Sequence, residues 1–428
     1  MTSERHAYIY VQLPGALDAV PAALLKIEKQ TDGSYVGRFR YGDRYVQRPD
    51  AVAFDPFQLP LDKSVYEFTK LKGIPGAVRD AGPDAWGRRV IEHKLERSPG
   101  DLEEIDYLLS GPQDGAGNLT FGLKANPLAP RRQYNRTHQL ADLIEAAEAI
   151  EDGKRVPVHI LEQLEPGTSM GGARPKATIE DGDRLWLGKF PEKGDRCNLQ
   201  RIEYATLELA RRCGVNVCRA RLQPVAGKDV LMLERFDRLY TGKGYLRFGV
   251  ASGLTILDCE DSYLDRERWS YPLLAENLRR WAASPERDCV ELFRRMVFNA
   301  AVTNNDDHPR NHAVLHREQG WRLSPAYDLV PMPLASLERR DLALTVGNYG
   351  RTASVYNLLS QCARFGLTTE AARKEIDSIV NVVRGWREYF FACGVSAQDV
   401  EYIGQAFLPD CFFFEAPPEI QNENKVII

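Results

Sequence analysis

The chain has 428 residues, 43% hydrophobic and 27% charged, enough length for about two to three domains with a core in each and the composition of an ordinary globular protein. Its 56 Lys+Arg against 60 Asp+Glu leave a net charge of −4, so no global basic field supports nucleic-acid binding as the main activity. No apolar run approaches the ~18 residues needed to span a bilayer, and "MTSERHAYIYVQLPG" lacks the basic-then-apolar layout of a signal peptide, so a cytoplasmic protein without membrane contact is expected.

The first ~125 residues read as a β-rich module. "AYIYVQL" and "SYVGRFRYG" carry strand-forming residues, and an Asp-Gly turn precedes the second. After "LPL" (59–61), "RDAGPDAWGRRVIEHKLE" places Pro83 and Asp84 in the first turn of a helix running through Leu95. A polar, Gly-rich piece, "SGPQDGAGNLTFG", comes before a strand at 119–123. Residues 124–137, "KANPLAPRRQYNRT", are proline-rich and basic and read as a linker, so the domain cut falls near residue 130.

Helical periodicity then begins at "HQLADLIEAAEAIEDG", with Leu140, Ile144, Ala147 and Ile150 on one face. From residue 165 the order is a Gly-rich loop, strands ("KATIEDGDRLWLGKF"), a helix ("QRIEYATLELARRCG") and strands again ("ARLQPVAGKDVLMLERFDR"). Beyond Arg238 the chain is chiefly helical. The patterning thus divides the chain into a β-rich N-terminal domain (1–130), a small lobe (131–238), a larger helical lobe (239–412) and a tail (413–428). The fold class is α+β. All eight cysteines lie between Cys197 and Cys411 with no C-x-x-C pair, as expected for reduced, structural thiols.

An apolar run (296–302) leads into "NNDDHPRN" (304–311), which crowds two carboxylates, a histidine and three amides into eight positions. A surface turn, a metal site and a phosphotransferase loop could each produce it. His308, His312 and His316 stand at i, i+4, i+8, which on a helix would align three zinc ligands. Pro309 interrupts that run, and "HAVLHREQGWRLS" alternates and turns at Gln319-Gly320 like a hairpin. Asn311 then stands at the hairpin's entrance and Asp328 follows its exit.

Phosphoryl transfer needs one carboxylate to orient the attacking hydroxyl, and an Asn and a second Asp to hold Mg²⁺ against the phosphates. Asp306 to Asn311 has the five-residue spacing of the kinase catalytic loop, and Asp328 stands in the place of the D-F-G aspartate. Two carboxylates at ~4 Å repel by about 4 kcal/mol at an effective dielectric of ~20, so such a cluster waits for a cation, and its oxygen donors favour Mg²⁺ or Mn²⁺. Upstream, Gly167, Gly171 and Gly172 let backbone amides approach phosphate oxygens, with Arg174 or Lys176 to neutralise charge. Lys189 ends a strand where a nucleotide lysine would stand. Glu203, on the next helix, could orient it or be a solvated charge.

In order and spacing, "SMGGARPKA" (169–177), "GKFP" (188–191), "LERFDR" (233–238), "NNDDHPRN" and "PAYDL" resemble the motifs of HipA-type serine/threonine kinases, the toxin half of bacterial toxin–antitoxin modules. "LPL", "PDAWG" (83–87) and "DGAGNLTFG" (114–122) resemble that family's N-terminal domain. The resemblance implies a two-lobed, protein-kinase-like (lipid-kinase-like) core and an ATP- and Mg²⁺-dependent serine/threonine protein kinase. Asp306 would be catalytic, and Asn311 and Asp328 would hold the metal. The segment Gly171, Gly172, Ala173, Arg174, Pro175 and Lys176 would line the ATP phosphates with Lys189. Glu234, Arg235 and Phe236 would form the adenine hinge, and His308 and Tyr327 would belong to the nucleotide site. Ser169, with Thr168 as its neighbour, matches a serine that the family autophosphorylates to silence itself. A DNA-binding antitoxin is the implied partner, with DNA reached only through it, and an aminoacyl-tRNA synthetase is the precedent for the substrate. A small-molecule or lipid kinase with the same residues, or a catalytically silent regulator acting with a DNA-binding partner, are the other readings.

Overall fold

The computed structural model describes residues 3–127, 133–164, 172–317, 319–332 and 339–417. By contact the chain divides into two compact units: one comprises 1–194, 223–260 and 314–321, the other 195–222, 261–313 and 322–428.

The first unit holds two five-stranded sheets. The N-terminal one has the order β4-β3-β2-β1-β5, from β1 (Ser3–Gln12), β2 (Ala19–Lys29), β3 (Tyr35–Tyr41), β4 (Tyr66–Phe68) and β5 (Leu119–Gly122). Alternation sets its buried face: Ala7, Ile9 and Val11 of β1 join Leu25 and Ile27 of β2 and Phe39 and Tyr41 of β3 in one apolar cluster. Sequence patterning misses β2 because Pro21 interrupts it. The register slips there, with Ile9 opposite Ala23 but Tyr10 opposite Pro21, so a bulge at Ala22 accommodates a residue that cannot donate to the ladder.

The second sheet runs β6-β7-β8-β10-β9, with β6 (Asn135–Arg136), β7 (Lys176–Asp181), β8 (Arg184–Lys189), β9 (Ala220–Val225) and β10 (Lys228–Glu234). The helix Leu140–Glu151 buries Leu140, Ile144, Ala147 and Ile150, together with Leu143 and Ala146. A division near residue 130 separates the two sheets but not their cores. Trp86 and Val90, from the helix Ala85–Lys94, sit in the second sheet's cluster beside Leu143, Ile179 and Met232. Each such buried side chain contributes about 1.5–3 kcal/mol.

The chain after Arg238 does not become helical at once. It first makes β11 (Arg238–Tyr240), β12 (Tyr245–Arg247) and β13 (Gly249–Ser252). β13 then pairs with the hairpin of β14 (Ala313–Arg317) and β15 (Gly320–Leu323).

The second unit is built on helices, chief among them Leu199–Arg212, Tyr271–Trp281, Pro285–Ala301 and Thr369–Val383. The last turns of Pro285–Ala301 bury every residue from Arg295 to Ala301. Of the expected tail, Phe413 closes the turn Asp410–Phe413, which buries Cys411 and Phe412; residues 418–428 lie outside the described ones. All eight cysteines are free and six are buried. Among the described residues no helix is long and apolar enough to cross a membrane.

Candidate functional site

The helix Pro285–Ala301 stops at Val302, and Thr303 takes a left-handed backbone, φ 50°, unusual for a β-branched residue. Its carbonyl accepts the Met332 N–H at 3.1 Å and its hydroxyl donates to the Ala406 carbonyl at 2.5 Å. The chain is thereby turned sharply into the loop. Asp306 follows with its side chain 72% exposed and its Oδ1 3.9 Å from His308 Nε2. His308 caps the turn Pro309–Asn311, its Nδ1 accepting the Arg310 N–H at 3.2 Å, and Arg310 pairs with Asp261 at 3.0 Å.

Asn311 is buried and donates from Nδ2 to the Asp306 carbonyl at 2.8 Å, which fixes the five-residue turn between them. Its Oδ1 is buried with no hydrogen-bond partner among the described residues. A buried acceptor without a donor is costly unless something else, such as a cation, completes it. Tyr327 donates its hydroxyl to the Arg310 carbonyl at 2.9 Å, which ties the segment carrying Asp328 to the loop carrying Asp306 and Asn311. Asp328 has φ 59°, a strained position of the kind that gathers at functional sites. The oxygen donors of Asn311 and Asp328 suit Mg²⁺, which takes one or two protein ligands and completes its shell with phosphate and water. Among the described residues no group of three or more His, Cys, Asp or Glu could hold a metal. His308, His312 and His316 fall on a short turn and a strand rather than on one helix face, and burial pushes His312 down to about 3.

Asp307, the neighbour of Asp306, does not face solvent. It is 0% exposed and accepts the Tyr271 hydroxyl at 2.6 Å and the Ala343 N–H at 2.6 Å. Tyr271 in turn accepts from Asn299 Nδ2 at 2.9 Å, and Asn299 Oδ1 accepts from Asn304 Nδ2 at 3.1 Å. This buried chain braces the first half of the loop, at Asn304 and Asp307, and sequence reasoning missed it. The legible signal was Asn299 itself, a lone amide inside "MVFNAAV" that needs a partner once buried.

Burial pushes the Asp307 carboxyl from 3.8 up to about 7, with the Asp306 charge adding and the bonds from Tyr271 and Ala343 opposing. The folded state therefore keeps a proton that the unfolded chain has lost. This contribution to stability is complete below about pH 4 and is lost as pH rises through about 7. Asp307→Asn should flatten that loss, measured as urea midpoints at about pH 4.5 and about pH 7.5. Parallel shifts in variant and wild type would assign the proton elsewhere.

The nucleotide-side candidates lie in the first unit. Lys189 ends β8, is buried, and stands opposite Lys176 of β7 and Leu231 of β10, so it is no surface lysine. Arg174 lies 3.4 Å from Glu192, and the Pro175 carbonyl accepts the Phe190 N–H at 2.9 Å. A Cβ on Gly172 would meet nothing within 4 Å, so room is open there. Thr168, Ser169 and Gly171 lie outside the described residues. Glu203 is buried on its helix in the second unit, which excludes a solvated helix charge.

Two of the expected nucleotide contacts have other partners in the structure. Lys176 is fully buried, with Nζ 2.7 Å from Asp84 Oδ2 and 2.6 Å from the Gly172 carbonyl; its charge is answered by that carboxylate, so it supports the loop rather than facing phosphate. In the hinge segment, the Arg235 N–H donates to the Leu185 carbonyl at 2.8 Å, which commits that donor to the sheet, while the Phe236 carbonyl accepts from Arg317 at 3.0 Å. Glu234 is half-buried, pairs with Trp186 across the ladder and lies 3.5 Å from Arg184.

The Arg235 side chain enters a buried ion network. It reaches Asp114 at 2.6 Å and Asp237 at 3.0 Å, and Arg238 reaches Asp114 at 2.9 Å and Asp237 at 2.6 Å. Burial alone would raise Asp237, but the two guanidiniums outweigh it and hold its carboxyl far below the usual range. Asp114 belongs to the N-terminal "DGAGN", and Asp84 to "PDAWG". Each N-terminal motif therefore grips one strand end of the second sheet.

Comparison with known proteins identifies the family and the fold. The family described as HipA-like C-terminal domain matches residues 168–386. A Sinorhizobium fredii protein named as a candidate kinase, Y4mE, is 29% identical over 337 residues, covering 70% of this chain and 75% of its own. The HipA toxin of Shewanella oneidensis, solved with HipB and operator DNA, superposes with a TM-score of 0.66 over 94% of both chains at 16% identity, a likeness that establishes the α+β, two-lobed kinase fold with its N-terminal sheet.

Proposed function

The chain belongs to the HipA-like kinase family, and from that premise we propose that it is an ATP- and Mg²⁺-dependent serine/threonine protein kinase, the growth-arresting member of a toxin–antitoxin pair. The observation that carries the reading is an exposed Asp306 on a loop otherwise locked by buried hydrogen bonds, with the unpartnered Asn311 Oδ1 five residues on. Asp306 would accept the proton of the attacking Ser or Thr hydroxyl as its oxygen bonds the γ-phosphorus and ADP departs. Asn311 and Asp328 would hold Mg²⁺, which neutralises the charge developing on the phosphates. Arg174 and Lys189 supply the cationic groups on the nucleotide side.

The division into an N-terminal domain, a small lobe from residue 131 and a helical lobe from residue 239 belongs to this reading, as does a cytoplasmic location. The assembly of the Shewanella protein with HipB and operator DNA supports a DNA-binding antitoxin as partner, with DNA reached through it. An aminoacyl-tRNA synthetase is the substrate class to try first. Ser169 is the proposed autophosphorylation site; mass spectrometry of protein made in cells should find phosphate there rather than on Thr168.

Radiolabelled ATP with purified protein and cell lysate tests the function: label should enter protein and require Mg²⁺. Label in an extractable metabolite would instead identify a small-molecule or lipid kinase, and no Mg²⁺-dependent ATP binding would leave a silent regulator. Asn311→Leu should raise the Mg²⁺ concentration for half-maximal rate at least about tenfold, the scale on which even residues behind metal ligands act. An unchanged Mg²⁺ dependence would remove Asn311 from the metal.

A further inference from the structure

The first residue of β7 is gripped by the start of a helix far upstream in the chain. Trp86 donates its indole N–H to the Lys176 carbonyl at 3.0 Å, while Asp84 takes the Lys176 ammonium at 2.7 Å. Asp84 is itself fixed, because it caps its helix by accepting the Gly87 N–H at 2.8 Å. The same ammonium donates to the Gly172 carbonyl at 2.6 Å. A lysine ammonium is a compact charge on a flexible stem, and a buried, immobile carboxylate turns it into a fixed post to which a loop carbonyl is tied.

Stability alone does not require this arrangement. A buried ion pair is often no better than well-packed apolar residues of similar volume, but apolar residues could not hold the Gly172 carbonyl. We propose that Asp84 is a positioning residue: acting through Lys176, it fixes the Gly172 end of the Gly-rich loop, so that the N-terminal module sets the surface offered to the nucleotide's phosphates. The link to phosphates rests on the kinase reading above; the anchoring of Gly172 does not.

Two measurements on the full chain separate these levels. In Asp84→Asn, hydrogen–deuterium exchange of the peptide carrying Gly172 to Lys176 should speed up about tenfold, the scale of losing one hydrogen bond to a charged group, while peptides from β2 and β3 keep their wild-type rates. The KM for ATP should rise by about the same factor with kcat changed by less than about threefold. Faster exchange spread evenly over the first unit, or none at the Gly172 peptide, would overturn the proposal. The double variant Asp84→Asn/Lys176→Met leaves no uncompensated buried charge and should still show fast exchange at that peptide. Wild-type exchange in the double variant would reduce Asp84 to a counter-charge and overturn the positioning role. A wild-type protein without ATP dependence would sink the kinase reading, leaving the exchange arm to decide the anchoring.

Discussion

Asp306→Asn should lower the rate of phosphoryl transfer by about 10²- to 10⁴-fold, the usual scale for removing a general base, while leaving the fold untouched. Both halves follow from where the side chain sits. It is largely exposed and only 3.9 Å from His308, whereas the loop is held through the Asp306 carbonyl, to which Asn311 donates at 2.8 Å. That backbone bond survives the substitution, and the buried chain through Asp307, Tyr271, Asn299 and Asn304 is not touched. Single-turnover transfer from labelled ATP, with a thermal melt on the same preparation, checks the pair of statements. Unchanged transfer in a folded variant would end the assignment of Asp306 as base. The neighbour should behave in the opposite way: Asp307→Ala would lose activity together with stability.

Asp114→Ala should destabilise the first unit by about 3–5 kcal/mol, the range for removing one partner of a buried ion pair. Arg235 and Arg238 are both buried, and each divides its contacts between Asp114 and Asp237. Without Asp114 two guanidiniums would share one carboxylate in a largely buried site. A control with the same chemistry lies at the surface. Arg48 pairs with Asp50 at 2.9 Å with both side chains exposed, and Asp50→Ala should cost only a small fraction of that because solvent screens the pair. Urea unfolding of the two variants makes the comparison, and equal losses would show that the buried network carries no more weight than the surface pair.

What could be read in advance follows from what a linear pattern records. The alternation after Pro309 and the Gln319-Gly320 turn locate the hairpin β14–β15, Asp84 reads as a helix start because capping is a local event, and Lys189 reads as a strand end because "RLWLGKF" is a strand by composition. β2 was hidden by Pro21, since the bulge that accommodates it depends on the partner strand. The true state of Lys176 was hidden for a related reason. In the sequence it is a lysine in a Gly-rich segment, and only tertiary folding brings Asp84 to 2.7 Å. Asp307 shows the same limit at short range: two adjacent aspartates are chemically identical until the fold exposes one and buries the other.

The grip of "PDAWG" and "DGAGN" on the second sheet bears on how this protein could be taken apart. Residues 168–386, which match the family, contain Lys176, Arg235 and Arg238 but neither Asp84 nor Asp114. A fragment starting after the linker would carry these cations into its interior without the two carboxylates that answer them, and its cluster around Met232 would lack Trp86 and Val90. The stretch most easily found by comparison is therefore not a transplantable cassette. A fragment lacking the first 127 residues should be less stable than the whole chain.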